Sequence, residues 1–475
     1  MEKWHLAVDI GASSGRHILG RVVDGRMELK EVYRFPNQLI EKDGHLCWDI
    51  DSLAESVIKG IEECGKQGYH PVTMGIDTWA VDFVLLNDKD ERIGDAVAYR
   101  DSRTEGIKDE LEEKGILSFE ELYDRTGIQY QAFNTVYQLC ALKKEHPEYL
   151  EQAETFLMIP DYLNFLLTGV KVNEYTNASS TALLNAELKT WDTEIMKKLG
   201  LPEKIFRPVQ TPGTVVGKFS NAIKERVGFD CMVTLPATHD TGSAYVAVPA
   251  ENDTSIFLSS GTWSLLGVEN ASPVTSAESR WANFTNEGGY NYRFRYLKNI
   301  MGLWMIQNVR KEQMKRTGGD VSFPDLIAAA QSEKDFPSVL NVDEERFLAP
   351  KSMIDEVTQA CADTNQQVPE NIGQVMQCIY NSLSDDYARA IKKLEWLTGK
   401  TFTDINIVGG GSQDNYLNQM TANATGLTVH AGPTEGTALG NLIVQFIREG
   451  EYYSLEDARK AIRNSFEIRD IKPNQ

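Results

Sequence analysis

The sequence predicts an α/β protein with mixed parallel and antiparallel sheets, organised in two halves. Three observations carry this reading. Short apolar strand-like runs alternate along the chain with segments of helical periodicity. A strand, a polar glycine turn and a second strand open the chain, and the same sequence of signals returns near its middle. Finally, 475 residues suffice for two or three domains at roughly 150 residues each.

His5 to Ile10 is a short apolar strand ending in Asp9-Ile10, and Gly11 to Arg16 is a polar turn before strand character resumes from His17 to Val23. Asp24-Gly25 closes a hairpin onto Met27 to Phe35, a third antiparallel strand. Ser52 to Gln67 has the periodicity of a helix, Thr73 to Ile76 and Phe83 to Leu86 of strands, and Phe119 to Tyr123 and Thr135 to Lys144 of helices. Ser255 to Leu258, the turn Ser259 to Thr262 and Trp263 to Gly267 repeat the opening pattern, with Ser13-Ser14-Gly15 and Ser259-Ser260-Gly261 separated by 259 − 13 = 246 residues. In the second half, apolar residues from Ile372 to Leu394 recur at helical spacing up to Gly399. A strand at Ile405 to Val408, the turn Gly409-Gly410-Gly411 and a helix from Asn415 to Thr425 follow. The boundary is expected in the polar stretch Pro249 to Thr254, giving domains 1–248 and 249–475.

Composition narrows the function classes. With 48 Lys and Arg against 69 Asp and Glu the net charge is −21, which repels a nucleic-acid backbone or an anionic bilayer but leaves room for a local phosphate pocket. Apolar stretches such as Leu442 to Ile447 fall far short of the ~20 residues of a membrane span. Met1-Glu2-Lys3-Trp4 is not a basic segment followed by an apolar run, so a cytoplasmic location is expected. The six cysteines form no C-x-x-C pair and no tight cluster with histidine, which argues against zinc and for small buried thiols; whether Cys361 and Cys378 approach each other stays open.

Five segments have the residue types for chemistry, and each also has a structural reading. The turn after Asp9 offers backbone N–H groups, serine hydroxyls and Arg16 to phosphate oxygens, although a plain hairpin turn has the same composition. It is no P-loop, and although Gly11 to Gly15 fits the G-x-S-x-G of serine hydrolases, that elbow must lead into a helix whereas His17 to Val23 is strand-like. Thr238-His239-Asp240-Thr241-Gly242 sits between a strand and the helix-like Ser243 to Val248, where Asp240 can act as a general base or simply as a helix cap. Gly409-Gly410-Gly411-Ser412 lets bare backbone approach a nucleotide, or is merely a tight turn. Asp77 to Phe83 combines hydroxyl acceptors with an aromatic face, as a sugar pocket requires or as a strand edge with one core Trp would show. Asn299 and Gln307, eight residues apart on an apolar segment expected to be helical, are the fifth.

Together these stretches resemble the FGGY family of carbohydrate kinases over nearly the whole chain. The resemblance is carried in order by Asp9 to Arg16, Ile76 to Phe83, Ala98 to Arg103, Pro160 to Tyr162, Glu174 to Ala178, His239 to Thr241, Leu258 to Ser264, Lys298 to Trp304 and Ile407 to Gly411. It implies two actin-like, ribonuclease H-type domains with a catalytic cleft between them, the first mainly for the sugar and the base, the second mainly for ATP. The activity implied is ATP-dependent phosphorylation of L-rhamnulose at O1, with another ketose (L-fuculose or a pentulose) as the alternative; a non-kinase actin-like ATPase is the alternative from another class. Carried over by position, Asp240 is the catalytic base, and Ala80, His239, Asp240, Thr241 and Asn299 contact the sugar. Ala12, Ser13, Ser14, Gly15, Arg16, Thr262, Gln307 and Gly410 contact ATP, while Asp9 stands at the Mg²⁺ and phosphate end. Ala80 occupies a place where the family usually has glycine. No nucleic-acid, membrane or obligate protein partner is implied.

Overall fold

A computed structural model describes residues 3–474 of the chain, which separate into two compact units. The first comprises 1–249, 269–296 and 436–465; the second comprises 250–268, 297–435 and 466–475. Neither unit is contiguous in sequence. Among the described residues no helix is long and apolar enough to cross a membrane.

The first unit is built on a six-stranded sheet in the order Val215–Lys218, Met232–Thr234, Thr73–Thr78, His5–Ile10, Ser14–Val23, Arg26–Pro36. His5–Ile10 and Thr73–Thr78 pair in parallel and are buried along their whole length, which is why they read as apolar runs rather than as alternating strands. Their register sets Asp9 opposite Asp77. Asp24 and Gly25 both take positive φ (49° and 75°), the conformation a two-residue hairpin requires between right-twisted strands. Helix Ile50–Lys66 begins where the Asp49 carboxylate accepts from Ser52 N and packs Leu53, Val57 and Ile61 onto the sheet core.

Helix Gly436–Arg448, although far along the chain, belongs to this unit and is fixed by buried amides. Asn441 Nδ2 donates to Gly75 O (3.1 Å), and Gln445 Nε2 to Leu6 O (3.0 Å), on neighbouring strands of the sheet. At Gly440 an added Cβ would overlap the Ser243 carbonyl, so helices Gly436–Arg448 and Asp240–Val246 meet backbone to backbone. That close approach holds the first turn carrying Asp240 against the sheet.

In the second unit, strands order as Phe294–Met301, Trp263–Asn270, Ser255–Ser260, Asp404–Val408, Thr428–Ala431, Arg469–Ile471. Helix Ile372–Thr398 is capped by the Asn371 side chain and stops at Gly399 (φ 66°). The six cysteines are free thiols, with Cys361 Sγ and Cys378 Sγ 3.7 Å apart.

Two expectations are corrected. Asn299 and Gln307 do not share a helix: Asn299 lies on strand Phe294–Met301 and Gln307 on helix Trp304–Thr317. Gly302 separates them because a side chain there would collide with Ser264 N and the Trp263 carbonyl carbon, each 2.7 Å from the Cβ position. The second correction concerns register in the internal repeat. Ile10 pairs with Gly15 and Ser260 with Ser264, so the strand-ending positions correspond at 260 − 10 = 250 residues rather than 246. Ser13-Ser14-Gly15 occupies turn and second strand, whereas Ser259-Ser260 still belongs to the first strand.

Candidate active site

The first unit gathers three carboxyl groups. Asp9 and Asp77 lie side by side on adjacent parallel strands, and Asp240 is the first residue of helix Asp240–Val246, whose loop runs beside Thr78. Arg16, directly across from Asp9 on the antiparallel strand, donates to Asp9 Oδ2 from Nε (3.0 Å) and Nη2 (2.9 Å). Asn441 Nδ2 donates to Asp77 Oδ2 (2.6 Å), while Asp77 Oδ1 is buried without a partner. Burial first, then the neighbouring charge of Asp9, drive the Asp77 pKa well above the ordinary carboxylate range. For Asp240, whose side chain keeps 32% exposure, burial is again the main upward influence and Asp9 adds to it, while His239 and the hydrogen bonds from Thr241 oppose it; the net shift is upward.

The oxygens of Asp9 and Asp240 are hard donors, the chemistry that suits Mg²⁺. Among the described residues no cluster of three His, Cys, Asp or Glu could hold a metal ion alone. A magnesium ion usually keeps waters and substrate phosphates as most of its ligands and takes only one or two carboxylates. Asp9 fits that role, with Asp77 behind it.

The turn that predicts phosphate binding is held rigid from within. Gly11 N donates to Ser14 O (2.9 Å), and Asn37 N and Nδ2 donate to Ser13 O and Gly11 O (3.0 Å each). Gly15 is required because any side chain would enter the Phe35 ring. Ser13 is left exposed at the tip, with Ala12, Ser14 and Arg16 half-buried around it.

The segment before Asp240 is set by one buried carboxylate. Glu174 Oε2 accepts from Thr238 Oγ1 and Thr176 Oγ1 (2.6 Å each) and from Thr238 N (3.2 Å), and Thr176 Oγ1 accepts in turn from His239 N (3.2 Å). His239 is thereby placed with Nε2 3.5 Å from Asp240 Oδ1. On the other side of its ring, Nδ1 meets Arg295 Nη2 (3.0 Å) and Glu287 Oε2 (3.2 Å).

Ala80 lies half-buried beside a strained residue: Val81 has φ 68°, a conformation that β-branched side chains rarely adopt. Thr135 Oγ1 (2.6 Å) and Gln138 Nε2 (3.3 Å) both donate to the Val81 carbonyl and hold it there. Asp82 Oδ2 collects Trp79 Nε1 (2.9 Å), Trp48 Nε1 (2.6 Å) and Tyr99 N (3.1 Å), so the Trp79 ring is fixed against Trp48. The glycine-to-alanine departure at position 80 carries no left-handed strain, which falls on Val81 instead.

In the second unit, Thr262 is exposed on the Gly261-Thr262 turn, whose carbonyls accept from Leu303 N and Trp304 N (3.1 Å each). Those bonds join the turn to the start of the helix bearing Gln307, which is half-buried one turn further on. Gly409 (φ 88°) and Gly411 are packed against Ser260, but an added Cβ at Gly410 would meet open space. Asn299 Oδ1 is buried without a hydrogen-bond partner.

Of the residues read from sequence, the structure brings Asp9, Arg16, His239, Asp240 and Thr241 into the first unit's polar floor, and Thr262, Gln307 and Gly410 onto turns and a helix of the second. Sequence reasoning missed Asn441, Glu287 and Arg295 as partners, and did not single out Asp77 as an acid beside Asp9. Asn441 is 364 residues from Asp77, and no local signal links them. Glu174 lay within a quoted motif, but its role in orienting Thr238 becomes visible only from the hydrogen bonds.

The chain is similar along its length to solved structures of sugar and polyol kinases. A xylulose kinase from Lactobacillus acidophilus superimposes with a TM-score of 0.83 at 17% identity, covering 99% of this chain and 94% of that one. The ADP-bound glycerol kinase from Plasmodium falciparum gives 0.79 at 14% identity, covering 100% and 95%. These show the fold, the two-domain actin-like architecture. The model of the N-terminal domain of the FGGY family of carbohydrate kinases matches residues 4–247, and the C-terminal domain model matches residues 256–449. The chain belongs to the FGGY family of carbohydrate kinases. Relatives named rhamnulokinase are similar over nearly all of it: 49% identical in Oceanobacillus iheyensis (98% of each chain), 50% in Halalkalibacterium halodurans (98% of each) and 42% in Bacillus subtilis (99% of this chain, 95% of the other).

Proposed function

We propose that this carbohydrate kinase transfers the γ-phosphoryl group of ATP to O1 of L-rhamnulose, yielding L-rhamnulose 1-phosphate and ADP. The observation that carries the reading is Asp240, a carboxyl group at the head of a helix beside His239, on the same polar floor as the Asp9–Arg16 pair. The substrate follows from the near-full-length similarity to rhamnulokinases.

Phosphoryl transfer asks a protein mainly for positioning and charge neutralisation. Asp240 accepts the O1 proton as the O1–P bond forms and the bond from phosphorus to the bridging oxygen of ADP breaks. His239, Thr241, Ala80 and Asn299 orient the ketose. Ala12 to Arg16 in the first unit and Thr262, Gln307 and Gly410 in the second bind ATP; the first domain also supplies the base and most of the sugar contacts, and the second mainly nucleotide contacts. Asp9 holds Mg²⁺, which when bound neutralises charge on the phosphates. Arg16 keeps the Asp9 carboxylate oriented. The use of ATP as phosphoryl donor supports a cytoplasmic location.

The test is a coupled ADP-release assay with Mg-ATP and L-rhamnulose, L-fuculose, D- and L-xylulose, D- and L-ribulose and glycerol. The highest kcat/KM for L-rhamnulose is expected. A higher value for another ketose would retain the kinase and replace the substrate, and no sugar-stimulated ADP release from folded protein would overturn both.

A further inference from the structure

The buried ion pair behind His239 places a donor-only cation against an imidazole nitrogen. Arg295 is fully buried; its Nε donates to Gly288 O (2.9 Å), its Nη2 lies 2.9 Å from Glu287 Oε2 and 3.0 Å from His239 Nδ1. Glu287 is 8% exposed. Glu287 Oε2 also lies 3.2 Å from Nδ1 but makes no hydrogen bond there, so the bond at Nδ1 is the guanidinium's, and a guanidinium, with N–H donors and no acceptor, needs a lone pair on that nitrogen. The neutral imidazole then carries its proton on Nε2, which faces Asp240 Oδ1 at 3.5 Å. Glu287 neutralises Arg295 and makes the cation tolerable in a buried place.

We propose that Glu287 and Arg295 are positioning residues that fix His239 as the Nε2–H tautomer, making it a hydrogen-bond donor to an oxygen of the ketose and leaving Asp240 as the sole proton acceptor. This division of labour rests on the kinase reading above. A histidine free to choose its tautomer would present a lone pair at Nε2 part of the time and compete with Asp240 for the same hydroxyl proton. Arg295 removes that choice without touching the sugar.

Nitrogen-15 NMR on histidine-labelled full-length protein reads the tautomer without any turnover, with the His239 signals assigned by their loss in His239→Gln. At neutral pH the wild type should show a protonated Nε2 and an unprotonated Nδ1, and Arg295→Met should mix the two forms. A protonated Nδ1 in the wild type, or an unchanged tautomer in Arg295→Met, would overturn the proposal. In steady-state kinetics Glu287→Gln, which keeps the shape, and Arg295→Met should each raise the ketose KM about tenfold, the size of one lost charge-assisted hydrogen bond, while the KM for ATP stays unchanged. Added to His239→Gln, neither should cause a further loss; full additivity would mean that the pair merely supports the fold. A wild type that shows the Nε2–H tautomer but phosphorylates no ketose would sink the functional reading and leave the tautomer assignment standing.

Discussion

The opening strand pair of each unit has the same construction and opposite chemistry. His5–Ile10 turns through Gly11 into Ser14–Val23 and pairs in parallel with Thr73–Thr78; Ser255–Ser260 turns through Gly261 into Trp263–Asn270 and pairs in parallel with Asp404–Val408. Each turn closes on its glycine, with Gly11 N donating to Ser14 O and Gly261 N to Trp263 O (2.9 Å each). At the position before the strand end, however, the first unit has Asp9 opposite Asp77, and the second has Ser259 opposite Val408. One turn thus faces an acidic floor suited to a cation and a base. The other is a neutral frame of hydroxyls, glycines and backbone suited to a nucleotide. A single backbone plan serves both because the turn fixes where side chains point and the strand-end residue fixes their charge.

The sharpest way to break the comparison is to remove the base from the acidic floor. Asp240→Asn keeps shape and is expected to lower kcat about 10²-fold or more, the usual contribution of a general base, with folding unchanged by circular dichroism. Near-wild-type turnover would remove Asp240 from that role. The two strand acids should then divide. Asp9→Asn, which takes a charge from the metal and phosphate end, should cost about 10²-fold in kcat/KM and raise the Mg²⁺ concentration needed for half-maximal rate. Asp77→Asn should leave activity close to wild type, because burial and Asp9 already favour its neutral acid. The sign of its stability effect is fixed too. A carboxyl with a raised folded pKa binds its proton more tightly in the folded state, so stability falls as pH rises through the window from about 4 upward, and Asp77→Asn should melt no lower than wild type at pH 7.

The neutral frame is tested with adjacent glycines. Gly411→Ala would force a methyl into Ser260, and a loss of about 2 kcal/mol in urea unfolding is expected. Gly410→Ala, with open space around its Cβ, should unfold like wild type and raise the KM for ATP severalfold; equal stability losses in both would mean that the turn only packs. The smallest effect is in the pH profile. Since Asp240 must be ionised to accept a proton and its pKa is shifted upward, the acid limb of kcat/KM for the ketose should lie above the ~4 of an unperturbed aspartate and flatten in Asp240→Asn.

Local pattern made much of this legible. The strands around Asp9, the Asp24-Gly25 hairpin, the helix from Asn415 to Thr425 and the glycine turn before it all follow from burial on both strand faces, from left-handed turn residues and from caps, which act within a few residues. The Asn299–Gln307 segment failed for the same reason: its apolar run allowed a helix, and only the close approach of Ser264 to Gly302 breaks it into strand and helix. The sequence by itself determined the α/β class, the doubled strand-turn-strand plan and the residue types of the site, because periodicity and turn chemistry are short-range. Tertiary structure alone decided that Asn441 backs Asp77, that Glu174 shapes the loop before Asp240 and that Arg295 faces His239. Those partners lie 56 to 364 residues away, and nothing within a local window links positions that meet only when the chain packs.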